Sequence, residues 1–264
     1  MERYKSINKR DRTKIDKRGK MIDPNNIYIG DSTELLKQVN SESIQLVLTD
    51  PPWNVSDPNK HVSAPGNKRE FLYNFGDWDL FESDKEYLQF IKNNVNEIYR
   101  ILKPEGSFVS FFPEWNICYL KMIWERLGGT TRQKLYVQKT NPKPRLRKVD
   151  FQRSIDELYW GTKSKSGHIF NYQIGQQKNF VSVPVYVQKE HTKYPTQKVL
   201  ASVLWIIKYL SSKDDIVLDP FMGSGTFIEG AILLGRKFIG FDNNEESIKI
   251  TKERIDKRIK QSKL

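Results

Sequence analysis

Two short clusters in the 264-residue chain gather groups able to do chemistry. In the first, Thr49-Asp50-Pro51-Pro52-Trp53, an apolar run stops on an acid, two prolines and an aromatic ring. Such a loop holds out a hydrogen-bond acceptor, carbonyls on a stiff chain with no N–H to satisfy, and a flat apolar face. The competing roles are plain strand termination for the prolines and packing for Trp53. The second cluster is Asp219-Pro220-Phe221-Met222-Gly223-Ser224-Gly225-Thr226, which reads as a strand ending in an acid, a glycine turn and a helix start. Gly223 and Gly225 let backbone approach a ligand closely, and Thr226 is placed to cap the helix whose N-terminus faces it. The third glycine falls at Gly230, a departure from G-x-G-x-x-G that argues against an ordinary NAD site. Asp242 ends the next strand, where a carboxylate suits ribose hydroxyls; capping the following helix is its other plausible duty.

The elements that must position these clusters alternate. Strands are predicted at 26–31, 43–50, 107–112, 131–138, 154–162, 215–219 and 237–242. Helices are predicted at 32–39, opened by Ser32, then at 83–106, about 115–127, 195–211, 225–235 and 245–260. Residues 54–80 carry Pro, Gly, Asn and Asp without a period and read as one long loop, a length usually tied to function. Residues 139–152 and 163–192 are polar, basic and irregular. Alternating strand and helix predicts an α/β sheet, mostly parallel, with ligands outside the carboxyl ends of strands where the winding reverses.

Net charge is +12, and it is unevenly placed. Residues 1–20 hold nine Lys/Arg against three acids, and 132–148 hold seven with no acid. The first run reads as a flexible basic arm over 1–22. The second interleaves cations with Tyr136 and two prolines, as a loop meeting phosphates would; a solvated basic face is the blander alternative. Cys118, the only cysteine, reads as a core residue, and the three histidines are too scattered to suggest a metal site. No apolar run is long enough for a transmembrane helix and no signal segment precedes residue 20, so an intracellular, cytoplasmic protein without a membrane partner is expected.

Taken in order, TDPPW at 49–53, YPTQKV at 194–199 and LDPFMGSGT at 218–226 resemble the β group of S-adenosylmethionine-dependent amino DNA methyltransferases. In that group the catalytic motif precedes the cofactor motif. YIGDS at 28–32 and QKTNPKPR at 138–145 also match family segments, so the likeness covers about 23–256. Trp53 stands where Tyr is commoner, and Tyr194 and Val199 replace the usual His and Pro.

The resemblance implies a doubly wound, Rossmann-like, seven-stranded sheet of order 3-2-1-4-5-7-6 with one antiparallel strand. The methyltransferase domain would span 23–264, with a catalytic loop at 50–80 and a target-recognition region at about 139–192. It implies methyl transfer from S-adenosylmethionine to the N6 amino group of an adenine rotated out of the duplex. Asp50 and a carbonyl of Pro51 or Pro52 would hold the amino group, and Trp53 would stack on the base. Phe221, Gly223, Gly225 and Thr226, with Asp219, Pro220 and Ser224, would form the turn around the methionine part. Asp242 would bind the ribose, Asp31 the adenine amino group unless it caps the following helix, and Thr196, Gln197 and Lys198 the amino-acid end. Lys139, Lys143, Arg145, Arg147 and Lys148 would meet DNA phosphates. A restriction endonuclease of the same specificity and a second copy of the chain are the partners the family suggests. Cytosine-N4 transfer, RNA adenine methylation and a binding module on a dead methyltransferase fold are the alternatives.

Overall fold

A computed structural model describes residues 22–63, 70–73, 79–142, 151–185, 194 and 196–261. The basic arm, apart from Ile22, lies outside the described residues. The strands are β1 (Asn26–Ile29), β2 (Ile44–Thr49), β3 (Asp57–Ser63), β4 (Glu70–Tyr73), β5 (Leu102–Phe111), β6 (Thr130–Lys139), β7 (Ile155–Thr162), β8 (Phe180–Val183), β9 (Ile216–Asp219) and β10 (Lys237–Asp242). The helices are α1 (Ser32–Lys37), α2 (Asp84–Ile101), α3 (Ile117–Arg126), α4 (Leu200–Leu210), α5 (Thr226–Leu233) and α6 (Glu245–Gln261).

Eight strands form one sheet in the order β1-β10-β9-β2-β5-β7-β6-β8. β7 alone runs antiparallel to its neighbours β5 and β6. The expected class holds, a mostly parallel sheet with one antiparallel strand, but numbered along this chain the order differs from 3-2-1-4-5-7-6 and there are eight strands in place of seven; β8 is an addition, paired parallel to β6 through Tyr136↔Phe180 and Val137↔Val181. The sequence reading missed it because Phe180-Val181-Ser182-Val183 is a four-residue run in polar surroundings, and pairing to a sheet edge supplies what its own pattern lacks. The long irregular loop is also corrected, since β3 and β4 pair antiparallel within it.

Side chains alternate across the sheet as a period of two requires. Leu46 and Leu48 of β2 join a core with Val203, Ile206, Phe227 and Ile255 from α4, α5 and α6. Val47 faces the other way, onto Leu36, Ile98 and Trp124 from α1, α2 and α3, and Ile44 joins that side because the ladder with β5 shifts register between Ile44 and Leu46. A sheet covered on both faces explains why Leu46, Val47 and Leu48 of β2 are apolar in succession.

Several boundaries move for local reasons. α2 stops at Ile101, not at 106, because β5 begins at Leu102, where the chain turns extended and pairs with Ile44. Pro104 also disfavours helical geometry at the residue before it. α4 starts at Leu200, leaving 196–199 outside the helix. Asp31, not Ser32, caps α1, its Oδ1 accepting the Glu34 N–H at 3.1 Å. Thr226 does not cap α5. Gly225 takes that position with φ +74°, and the Thr226 hydroxyl instead lies 3.0 Å from Ser224 Oγ and accepts from Arg254 Nη1 at 2.7 Å. Cys118 is exposed, against expectation.

α6 is fastened to α5 by Glu229, whose buried carboxylate pairs with Arg258 at 2.5 Å and Arg254 at 3.3 Å. Removing one member of a buried ionic group strands the others without a counter-charge. Glu229→Ala is expected to cost about 3–5 kcal/mol of unfolding free energy, read as a lowered denaturant midpoint; an unchanged midpoint would contradict the anchoring role.

Candidate active site

The site follows from strand neighbours. β9 pairs parallel with β10 on one side and with β2 on the other, with Leu46↔Val217 and Val47↔Leu218 in register. The winding reverses between β9 and β2, so the chain departs in opposite directions from their carboxyl ends and leaves a crevice. The Thr49 hydroxyl ties the two ends by donating to Asp219 Oδ1 at 2.8 Å. A cavity of about 790 Å³ opens there, within the roughly 300–1,000 Å³ typical of small-molecule sites.

One half of the cavity is built from the β2 end. Asp50, Pro51, Pro52 and Trp53 line it. Asp50 Oδ1 accepts the Trp53 indole N–H at 3.1 Å, and Oδ2 pairs with the Lys198 ammonium. The same ammonium lies 5.6 Å from the Trp53 ring centre and 5.1 Å from that of Phe111. Loss of hydration pushes the Asp50 carboxyl above the ordinary carboxylate range, and Lys198 pulls it part of the way back. The Pro52 carbonyl accepts from the Tyr87 hydroxyl at 3.0 Å, whereas no described donor reaches the Pro51 carbonyl. Arg153 lies 5.3 Å over the Trp53 ring, close enough for a cation–π contact.

The other half is built from the ends of β9, β10 and β1. Asp31, Thr196, Gln197, Lys198, Pro220 and Phe221 line it, as do Gly223, Ser224, Thr226 and Asp242. Gly223 sits at φ +46°, and a Cβ there would come within 2.9 Å of the Tyr194 ring, so the turn tolerates no side chain. Asp242 Oδ2 accepts the Gly223 N–H at 2.8 Å and Oδ1 the Asn244 N–H at 2.9 Å. Burial pushes the Asp242 carboxyl up. Asp219 and Gly225 stand behind the wall and do not line the cavity. Asp219 is fully buried, takes the Phe221 N–H at 3.1 Å as well as Thr49, and is pushed well above the usual range by burial. Its Oδ2 has no partner among the described residues. These groups fit a nucleoside with an amino-acid end: a carboxylate for hydroxyls at Asp242, a bare turn at Gly223, an aromatic wall at Phe221 and a cation at Lys198.

The sequence profile of the N6/N4 DNA methylases matches residues 44–253, a stretch that carries both cavity halves except the part at the end of β1 with Asp31. The chain belongs to this family. It is 34% identical over 238 residues to the Type II methyltransferase M2.LlaDCHI of Lactococcus lactis subsp. cremoris, covering 86% of this chain and 87% of that one. The crystal structure of the M1.HpyAVI–SAM complex superposes with a TM-score of 0.68 at 25% identity, over 87% of this chain and 98% of the other. The cytosine-N4-specific PvuII DNA methyltransferase shares the fold, with a TM-score of 0.69 at 22% identity over 89% and 87% of the two chains.

In this DNA methylase the expected residues converge with some reassignments. Lys198, expected at the amino-acid end of a cofactor or as a surface lysine, bridges to Asp50. Lys139 pairs with Asp156 at 2.5 Å on the cavity wall and is not presented to solvent as a free phosphate ligand. Lys143, Arg145, Arg147 and Lys148 lie outside the described residues. Asp79, Tyr87 and Arg153 were missed: each is remote from the motifs in sequence, and none belongs to a pattern marking it. The acid in Gly76-Asp77-Trp78-Asp79, late in a loop after the first cluster, was the nearest available signal. Lys198→Met is expected to move the Asp50 carboxyl titration to still higher pH in carbon-13 NMR, with Asp50→Asn assigning the signal; an unmoved titration would contradict the pairing.

Proposed function

We propose that this DNA methylase is a site-specific adenine-N6 methyltransferase that uses S-adenosylmethionine. The observation that carries the reading is the Asp50 carboxylate and the open Pro51 carbonyl at the end of β2, one strand from the glycine turn after β9. S-adenosylmethionine, when bound, supplies an electrophilic methyl group on a sulfonium. Asp242 would take the ribose hydroxyls, Phe221 the apolar ring surface, and Thr196, Gln197 and Lys198 the carboxylate end, while Asp31, with Oδ1 committed to capping α1, would offer Oδ2 to the adenine amino group.

The acceptor is a poor nucleophile because its nitrogen lone pair is delocalised into the ring. Asp50 accepts one amino hydrogen and Pro51 the other, which draws the nitrogen toward tetrahedral geometry. A carboxylate has about four acceptor sites, so engagement with Trp53 and Lys198 leaves capacity for the base. As positive charge develops on nitrogen, the carboxylate and carbonyl dipole stabilise it more than they stabilised the neutral amine, and that difference lowers the barrier. Trp53 offers the stacking face a rotated-out base needs. Holding both reactants in one crevice contributes roughly 7–11 kcal/mol of the barrier reduction.

Asp50 supports adenine over cytosine, since in the resembling family the cytosine-N4 enzymes more often carry Ser there. Lys143, Arg145, Arg147 and Lys148 are proposed phosphate ligands in a recognition region over 139–192. A restriction endonuclease of the same specificity is the proposed counterpart, a reading supported by the Type II methyltransferase name of the relative.

Unmethylated genomic DNA incubated with labelled cofactor is expected to yield N6-methyladenine in nucleoside mass spectrometry, while N4-methylcytosine would overturn the base assignment. Asp50→Ala is expected to lower transfer by about 100–1,000-fold and to keep cofactor and DNA binding; full residual activity would remove Asp50 from the mechanism. Replacing the four proposed phosphate ligands by Ala is expected to weaken DNA binding, flatten its salt dependence and spare cofactor affinity; an unchanged salt slope would contradict the assignment.

A further inference from the structure

Asp79 is 1% exposed, and its carboxylate is satisfied in an unusual way. Oδ1 accepts the backbone N–H groups of Trp53 at 2.7 Å and Asn54 at 2.8 Å. Oδ2 accepts those of Val55 at 2.9 Å and Ser56 at 2.8 Å. Four consecutive amides therefore converge on one carboxylate, which makes the segment after Pro52 an anion nest. The chain can wrap this way because Asn54 adopts φ +54°, a left-handed conformation that asparagine tolerates better than most residues. An isolated carboxylate would be costly to bury, and these charge-assisted hydrogen bonds offset that cost.

The clamp could simply close a loop, but three contacts tie it to the acceptor half of the cavity. The first amide held is that of Trp53, the residue whose indole donates to Asp50. One residue earlier, Tyr87 of α2 occupies the Pro52 carbonyl, so the loop is fixed on both sides of the Pro52–Trp53 bond. Asp79 itself lines the cavity. With Pro52 engaged, the Pro51 carbonyl is left without a donor among the described residues, beside the Asp50 carboxylate. Rotation of the Pro52–Trp53 peptide unit would break the Tyr87 bond to the Pro52 carbonyl and shift the backbone that carries the Trp53 ring and adjoins the Pro51–Pro52 unit.

We propose that Asp79 is a positioning residue for methyl transfer: its carboxylate folds residues 53–56 into the one loop shape that aims Asp50, the Pro51 carbonyl and the Trp53 ring at the target amine. The inference rests on the methyltransferase reading. Both Asp79 oxygens are taken up by the four amides, so it acts through Trp53 and the loop that follows. Because the clamp engages only the acceptor side, its loss falls on the chemical step and leaves the turn after β9 intact.

Asp79→Asn replaces one acceptor oxygen by an NH₂ group facing two N–H donors, and Asp79→Glu keeps the charge but shifts it by one methylene. The 264-residue wild type and both variants are compared by steady-state transfer to unmethylated genomic DNA, giving kcat and KM for DNA, together with cofactor Kd and thermal midpoint. The expected result for Asp79→Asn is a kcat lowered about 100-fold, the scale of a 1 Å misplacement, with cofactor Kd and KM for DNA within about threefold of wild type. Asp79→Glu is expected to fold and to retain a kcat between the two. The proposal is overturned if Asp79→Asn keeps kcat within about threefold, if cofactor affinity falls in step with kcat, or if neither variant folds. A wild type that transfers no methyl group to DNA would instead remove the functional reading on which the inference stands.

Discussion

The parallel pairing of β9 with β2 is the constraint on which the site depends. Two segments from opposite ends of the sequence become neighbouring strands, and the reversal of winding between them leaves their carboxyl ends uncovered. Thr49 and Asp219 lock that juncture with a buried hydrogen bond between side chains. The acceptor loop is the continuation of one strand and the glycine turn the continuation of the other. Distance between the two reacting halves is thus set by strand spacing, which in a sheet is about 4.7–4.9 Å and hardly adjustable.

Electrostatics at this juncture are crowded with acids. Asp50, Asp219 and Asp242 end three adjacent strands, and burial pushes each carboxyl upward. Their answers differ. Asp242 is met by backbone amides of the following turns, Asp219 by one hydroxyl and one amide, and Asp50 by an indole and an ammonium. The ammonium is the partner of the residue that must also meet a substrate. Lys198 lies between the two halves, so its charge bears on both the Asp50 carboxylate and whatever anionic group enters beside Thr196 and Gln197.

Much of this was legible from sequence because strand-end acids, glycine turns and prolines are local signals. The order of motifs foretold which strand ends would meet, and the alternation of strand and helix foretold a mostly parallel α/β sheet. What escaped was set by tertiary context. β8 is too short to declare itself and exists by pairing to β6. Lys198 looked like part of the cofactor motif, and its bond to Asp50 appears only once the sheet brings residues 50 and 198 together. Asp79 carries no periodicity or motif, and its partners are backbone amides, which are the same for every sequence. Cys118 was misread because composition gives the average habit of a residue type and not the face of α3 on which this one falls.

The β2–β9 contact also bears on how the protein is made. Contacts so far apart in sequence require the intervening chain to be ordered or at least collapsed before they yield any stabilisation, and such topologies fold slowly. During translation at about 5–20 residues per second, β2 leaves the ribosome well before its central neighbour exists, with one edge unpaired. A nascent or truncated chain ending before Ile216 would display the acceptor loop with nothing beside it, exposing a strand edge prone to wrong partners. Competence for chemistry therefore arrives late and all at once, when the last two strands slot into the middle of the sheet.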